Sequence, residues 1–267
     1  MNLLFASLLG LTLLSGHPDA RKAVTPIVQK IERADYEGDR AALKRLHDEL
    51  SPYVTDPELG SRVLYWRGFS LWRRSLNGFN DNADPKELED DLQQCVVDFK
   101  KAWERDPGLA DAKGGAASCM VNHSFLIMSS DRARAAQLFQ QSAALLNEAL
   151  AATPENPRLL WVQGTNQFYS REEGGQERAI ATYEHGLALA RKQKAGATDA
   201  LDPSWGEPEL LMNLAFANLR KKSPDLDAAK GYADSALALV PYWHYVRDIL
   251  VGQIQKARLA ASSTSVK

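Results

Sequence analysis

The chain has 267 residues, 45% of them hydrophobic and 25% charged, which is ample material for a packed core and argues against a disordered chain. The formal net charge is −2, with a sequence pI near 6.2, so the basic stripe of a nucleic-acid binder is missing. Two cysteines, Cys95 and Cys119, fit no zinc-ligand spacing.

In chain order, Leu3 to Leu14 is an apolar run of 12 residues, too short to span a bilayer as a helix of about 20. Ser15, Gly16, His17 and Pro18 follow, then charged residues from Asp19. Residues 1–20 therefore read as an export signal, although no Lys or Arg precedes Arg21 to form its basic start. A buried first helix is the other reading. No transmembrane span is expected in the mature chain.

From residue 21 to 260 the pattern is helical throughout, with no alternating β-branched runs bounded by turns. Helices are expected near 22–35 and 39–50, joined at Gly38. A pair near 57–75 and 85–105 follows, separated by the polar loop Asn77–Asn82. Further pairs are expected near 108–128 and 131–152, and near 157–170 and 176–194. A linker over 196–206 is rich in Gly, Asp and Pro. Helices near 208–222 and 225–239, a lone terminal helix over 242–260 and a disordered tail over 261–267 complete the chain. Asp56-Pro57, Asp84-Pro85, Asn156-Pro157 and Ser223-Pro224 each place a capping residue before a proline suited to the first helical position. Glu87 stands three residues after Asp84, the spacing of a capping box.

A punctuation recurs along this pattern: small–x3–large–x2–small–x4–Pro. It runs Cys95, Phe99, Ala102, Pro107, then Ser142, Leu146, Ala149, Pro154, then Ala229, Ala233, Ala236, Pro241, with a small residue at the large place in the last. Ala179, Tyr183 and Gly186 begin a copy without the proline. Preceding helices carry Leu64, Gly68 and Leu71, then Ala117, then Leu160 and Gly164, then Leu211, Leu214 and Ala215. Small residues at Gly68, Ala102, Gly164 and Ala236 permit close helix approach. One such pair cannot bury its apolar face alone, so neighbours must stack.

These residues resemble the tetratricopeptide repeat, whose pattern is W-x2-L-G-x2-Y, then A-x3-F, then P. The resemblance covers residues 57–245 and implies an all-α fold, a right-handed α-solenoid of stacked antiparallel helix pairs. Extra residues between Leu71 and Cys95, and between Met120 and Ser142, make the repeats irregular, by lengthening helices or extending loops. The resemblance also implies that the first helix of each pair lines a concave face. It places Arg62, Tyr65, Phe69, Trp72 and Arg73 there from the first copy, Asn122 from the second, Arg158, Trp161, Phe168 and Tyr169 from the third, and Phe216 and Arg220 from the fourth. Trp, Tyr and Arg dominate binding hot spots, because they combine rigid area with a polar handle. The same aromatics could instead fill the interior of a tightly wound superhelix. The Lys/Asn clamp of the chaperone-binding subgroup is not matched.

Catalytic motifs are missing: no phosphate loop, dinucleotide fingerprint, nucleophile elbow or His-Glu-x-x-His occurs. The expectation is a non-catalytic scaffold, not an enzyme, without a cofactor, that binds a protein or peptide through an aromatic and Arg-lined groove. A binder of a small solute or glycan in the same groove is the alternative. Export would place the protein in the periplasm or envelope. Two aromatic clusters flank the last repeat, around Trp205 and over Tyr242–Tyr245, and the linker tryptophan is expected to dock on the terminal helix. Cys95 lies 12 residues before Pro107 and Cys119 lies 12 after it. A turn centred there sets both at one height, either as a possible disulfide or as two buried thiols packing as small residues.

Overall fold

The computed structural model describes residues 18–194 and 199–264. Most of the segment read as an export signal, including Leu3–Leu14, lies outside the described residues. Among the described residues there is no strand, and the architecture is an all-α solenoid. Five helix pairs follow one another: α1 (Pro18–Glu37) and α2 (Arg40–Glu49), α3 (Gly60–Asn80) and α4 (Pro85–Arg105), α5 (Ala110–Ile127) and α6 (Arg132–Ala152), α7 (Pro157–Phe168) and α8 (Gly175–Lys194), α9 (Glu207–Arg220) and α10 (Leu226–Leu239). A π-helical turn, Tyr245–Leu250, leads into α11 (Val251–Thr264). Residues 261–264, expected in a disordered tail, are thus the last turn of α11.

Local chemistry sets the helix starts. Asp39, Asp84, Asp131, Asn156 and Asp225 each accept a backbone N–H from the first turn of the helix that follows. Two of the four proline signals therefore hold, at Asp84 and Asn156. Asp56 instead closes a turn, accepting from Glu58 N at 2.9 Å and Leu59 N at 2.7 Å, and the helix starts only at Gly60. Asp225 replaces Ser223 as the cap of α10. Glu87 turns away from the Asp84 cap to Arg40 and Arg74.

The insertions of the irregular repeats lengthen helices. α3, α4 and α6 each have 21 residues, against 12 in α7 and 14 in α9. The expected loop at Asn77-Gly78 is absorbed into the end of α3. The odd-numbered helices form an inner layer, since α1 touches α3, α3 touches α5, α5 touches α7 and α7 touches α9. α3 and α5 are buried on most sides, whereas α1 keeps an exposed face at Lys22, Pro26, Gln29, Lys30 and Arg33. The even helices bury only one stripe, as α6 does with Ala135, Leu138, Ser142, Leu146 and Ala149, spaced at the helical period. The repeat glycines are contact points between layers. A Cβ on Gly68 would lie 2.9 Å from the Phe99 ring, and one on Gly164 would lie 2.4 Å from Tyr183.

The core runs as one cluster from Ala20 to Ile254. The linker is part of it: Leu201 is fully buried, and its carbonyl accepts Trp66 Nε1–H at 2.8 Å. Arg21 pairs with Asp199 at 2.8 Å, and Arg62 with Asp202 at 3.2 Å, fastening the same segment to α1 and α3. Cys95 and Cys119 form a disulfide between α4 and α5, with Cα atoms 6.8 Å apart.

The two ends of the solenoid meet. Tyr36 on α1 packs edge-on against Trp243 at 5.0 Å and Tyr242 at 6.4 Å. Its hydroxyl donates to Glu209 Oε1 on α9 at 2.8 Å. Gly38, held at φ +73°, leaves room for the His244 ring, which a Cβ would meet at 2.9 Å. The last repeat therefore leans on the first.

Candidate interaction surface

The inner helices carry the aromatic residues expected to line a groove, and most of them are interior. Tyr65, Phe69, Trp72 and Trp161 are buried. The reason is Trp205. The linker drives this ring into the concave side, where its centroid lies 5.7 Å from Phe69, 5.6 Å from Trp72 and 5.9 Å from Trp161. Its Nε1–H donates to the Tyr65 hydroxyl at 2.8 Å. Trp205 thus caps no terminal helix, as its place beside the last repeat had suggested. It plugs the superhelix, and the expectation of an open groove at these residues is corrected to a filled interior.

The arginines there hold the interior together. Arg73 Nε donates to Asp35 Oδ2 at 2.7 Å, both side chains being buried, and Asn77 adds a bond to Asp35 Oδ1 at 3.2 Å. Burial works against the Arg73 charge, but Asp35 and Glu209 outweigh it and raise its pKa. Its guanidinium also lies 5.7 Å over Phe69 and 5.9 Å over Trp72. Arg158 is paired with Asp111 and donates to Gln193 Oε1 at 2.7 Å. Arg62 bridges Asp106 and Asp202. Trp72 Nε1 and Trp161 Nε1 are buried without a hydrogen-bond partner. Both indoles sit among edge-on aromatic neighbours, whose faces accept N–H weakly.

What remains accessible is one end of the inner layer. Tyr169, the C-cap of α7, is 59% exposed, and Phe125 in the last turn of α5 is 50% exposed, their rings 6.5 Å apart. Met128 follows Phe125 at the C-cap of α5 and is also exposed. Phe168 is buried beneath Tyr169 and touches the half-buried Phe216 of α9 at 5.6 Å. Arg220 lies 5.9 Å over Phe216 and donates to Gln253 at 2.8 Å. Phe79 occupies the equivalent last turn of α3 and is exposed. Asn122 is half-buried one turn before Phe125. The aromatic rim therefore joins Tyr169, Phe216 and Arg220, which the repeat places identified, to Phe79, Phe125 and Met128, which they did not. The signal for those three was an apolar residue in the last turn of an inner helix, where the chain is about to leave the core.

Among the described residues no group of three or more His, Cys, Asp or Glu is placed to hold a metal ion. No helix among them is long and apolar enough to cross a membrane.

No family model matches the sequence, and no curated protein does. The fold matches the crystal structure of a thermophilic TPR protein of Thermus thermophilus, with a TM-score of 0.58 and 20% identity, over 88% of this chain and 99% of that one. The likeness establishes the tetratricopeptide-repeat fold.

Proposed function

We propose that this tetratricopeptide-repeat solenoid is a non-catalytic scaffold that docks a protein or peptide segment on its aromatic rim. The observation that carries this reading is the exposed pair Phe125 and Tyr169, flanked by Met128 and by Arg220 over Phe216. Large apolar rings left in water at the ends of three successive inner helices, with an arginine among them, have the composition of a hot spot. The filled interior moves the docking surface from the centre of the superhelix to this edge. The scaffold is further proposed to work outside the cytoplasm, in the periplasm or cell envelope. The apolar run Leu3–Leu14 and the Cys95–Cys119 disulfide support that placement, because disulfides persist in oxidising compartments.

A photo-crosslinking amino acid at position 169 or 125 tests the docking surface in cells. The expected result is one discrete adduct from both positions and none from the exposed position 259 on α11. Adducts of equal yield from all three, or from none, would remove the rim reading. Recovery of the protein with an intact Met1 from the cytoplasm would remove the export reading.

A further inference from the structure

A pocket of about 240 Å3 lies where α1 meets the linker, the start of α9 and the chain before α11. Its lining includes the aromatic residues Tyr36, Trp205 and Tyr242, and the charged residues Glu32, Arg33 and Glu207. Charge around it is unbalanced. Glu207 is paired with Arg191 at 3.0 Å, and Arg33 with Glu37 at 2.7 Å. Behind the wall Asp35 takes Arg73, while Glu209 is held by the Tyr36 hydroxyl and by Gly206 N–H at 2.9 Å. Glu32 has no hydrogen-bond or ion-pair partner among the described residues, and the negative charges of Glu209 and Asp35 act on it. The buried cation Arg73 thus answers Asp35 and Glu209, and Glu32 is left without a cation of its own.

The walls suit a particular counter-ion. Aromatic faces attract cations through the ring quadrupole, and the Tyr242 ring already carries the Arg33 guanidinium at 4.6 Å. A divalent metal would want several converging oxygen ligands, and no such group is formed among the described residues. We infer that this pocket binds a primary alkylammonium group, its charge paired with Glu32 and its methylenes laid along Tyr36, Trp205 and Tyr242. A free aliphatic amine and the lysine side chain of a protein present the same chemistry. The pocket shares no residue with the aromatic rim, so this inference does not depend on the scaffold reading.

Calorimetry on the full chain tests it. The probes are n-butylammonium chloride, the capped tripeptide acetyl-Gly-Lys-Gly-amide, and n-butanol as a neutral molecule of nearly the same shape. Saturable one-site binding of an ammonium probe is expected, with none of butanol. Glu32→Gln removes an unpaired charge and is expected to fold, as circular dichroism would verify. It should weaken ammonium binding roughly tenfold or more, the loss that goes with one charged partner. Wild-type affinity should fall as the pH drops through about 7, where Glu32 takes up a proton and the amine keeps its own. The other titratable groups at the site are Arg33, Tyr36, Glu207 and Tyr242 in its lining, with Asp35, Arg73 and Glu209 behind the wall. Tighter binding of the tripeptide than of butylammonium would identify a protein lysine as the occupant, and the reverse order a free amine. No saturable binding of either, equal binding of butanol, or undiminished binding by Glu32→Gln would overturn the inference.

Discussion

Glu32 shows how one residue can set the pH response of the fold. Burial, with Glu209 and Asp35 nearby, pushes its carboxyl from the ordinary 4.5 up to about 7. The folded state then holds a proton that the unfolded chain has already released. Stability is highest below pH 4.5 as far as this group is concerned, and is lost as the pH rises through about 7. The full shift corresponds to roughly 3 kcal/mol, less what partial solvent access removes. Glu32→Gln is expected to flatten the fall in unfolding free energy across that window, measured by urea titration at several pH values. Trp205 is the second decisive residue. Trp205→Ala should cost about 3–5 kcal/mol, because it empties the centre of the aromatic interior and strands the Tyr65 hydroxyl. Trp72→Ala should behave alike. A melting temperature unchanged in Trp205→Ala would show that the interior is not filled as described.

At the scale of helices, the repeat glycines were readable in the sequence, and the structure explains them. Gly68→Leu should destabilise by about 1–3 kcal/mol, since even a Cβ there meets the Phe99 ring, and chemical denaturation would measure the loss. The helix pairs and the Asp84 and Asn156 caps were readable too, because local hydrogen bonding and the apolar period fix them. The start of α3 was not, since Asp56-Pro57 satisfies a turn as well as a helix. Nor was the fate of the inner-face aromatics. Repeat places say which side of a helix a ring occupies, and the filling of that side depends on a linker residue far along the chain. Trp205 lies 140 residues from Tyr65, a pairing that no local pattern contains. The cysteines sit between these cases: equal distances from Pro107 gave the height, and only the packing of α4 on α5 gave the phase. The disulfide closes a loop of 24 residues across two repeats. Replacing both cysteines with alanine should cost about 2–4 kcal/mol, and a reductant should lower the melting temperature of the wild type alone.

Over the whole molecule, the contact of Tyr36 with Trp243 and Glu209 changes what kind of object this solenoid is. An open stack of repeats is a line of nearest-neighbour couplings, and it frays from its ends because an end unit has one neighbour instead of two. Here the first and last units are each other's neighbours, so the line has become a loop, and breaking it anywhere forfeits two interfaces at once. Unzipping repeat by repeat loses its cheap starting point. Hydrogen exchange should therefore find core amides of α1 and α9 opening with the same free energy as those of α5, as in a two-state globule. Graded protection falling toward both ends would mean that the seam opens first. The seam also delays assembly: its contacts join residues 173 positions apart, so they form only after the intervening helices have arranged themselves, and folding should be slow for an all-helical chain. A scaffold built this way does not flex like a spring between its partners; it presents its rim as the fixed edge of a ring.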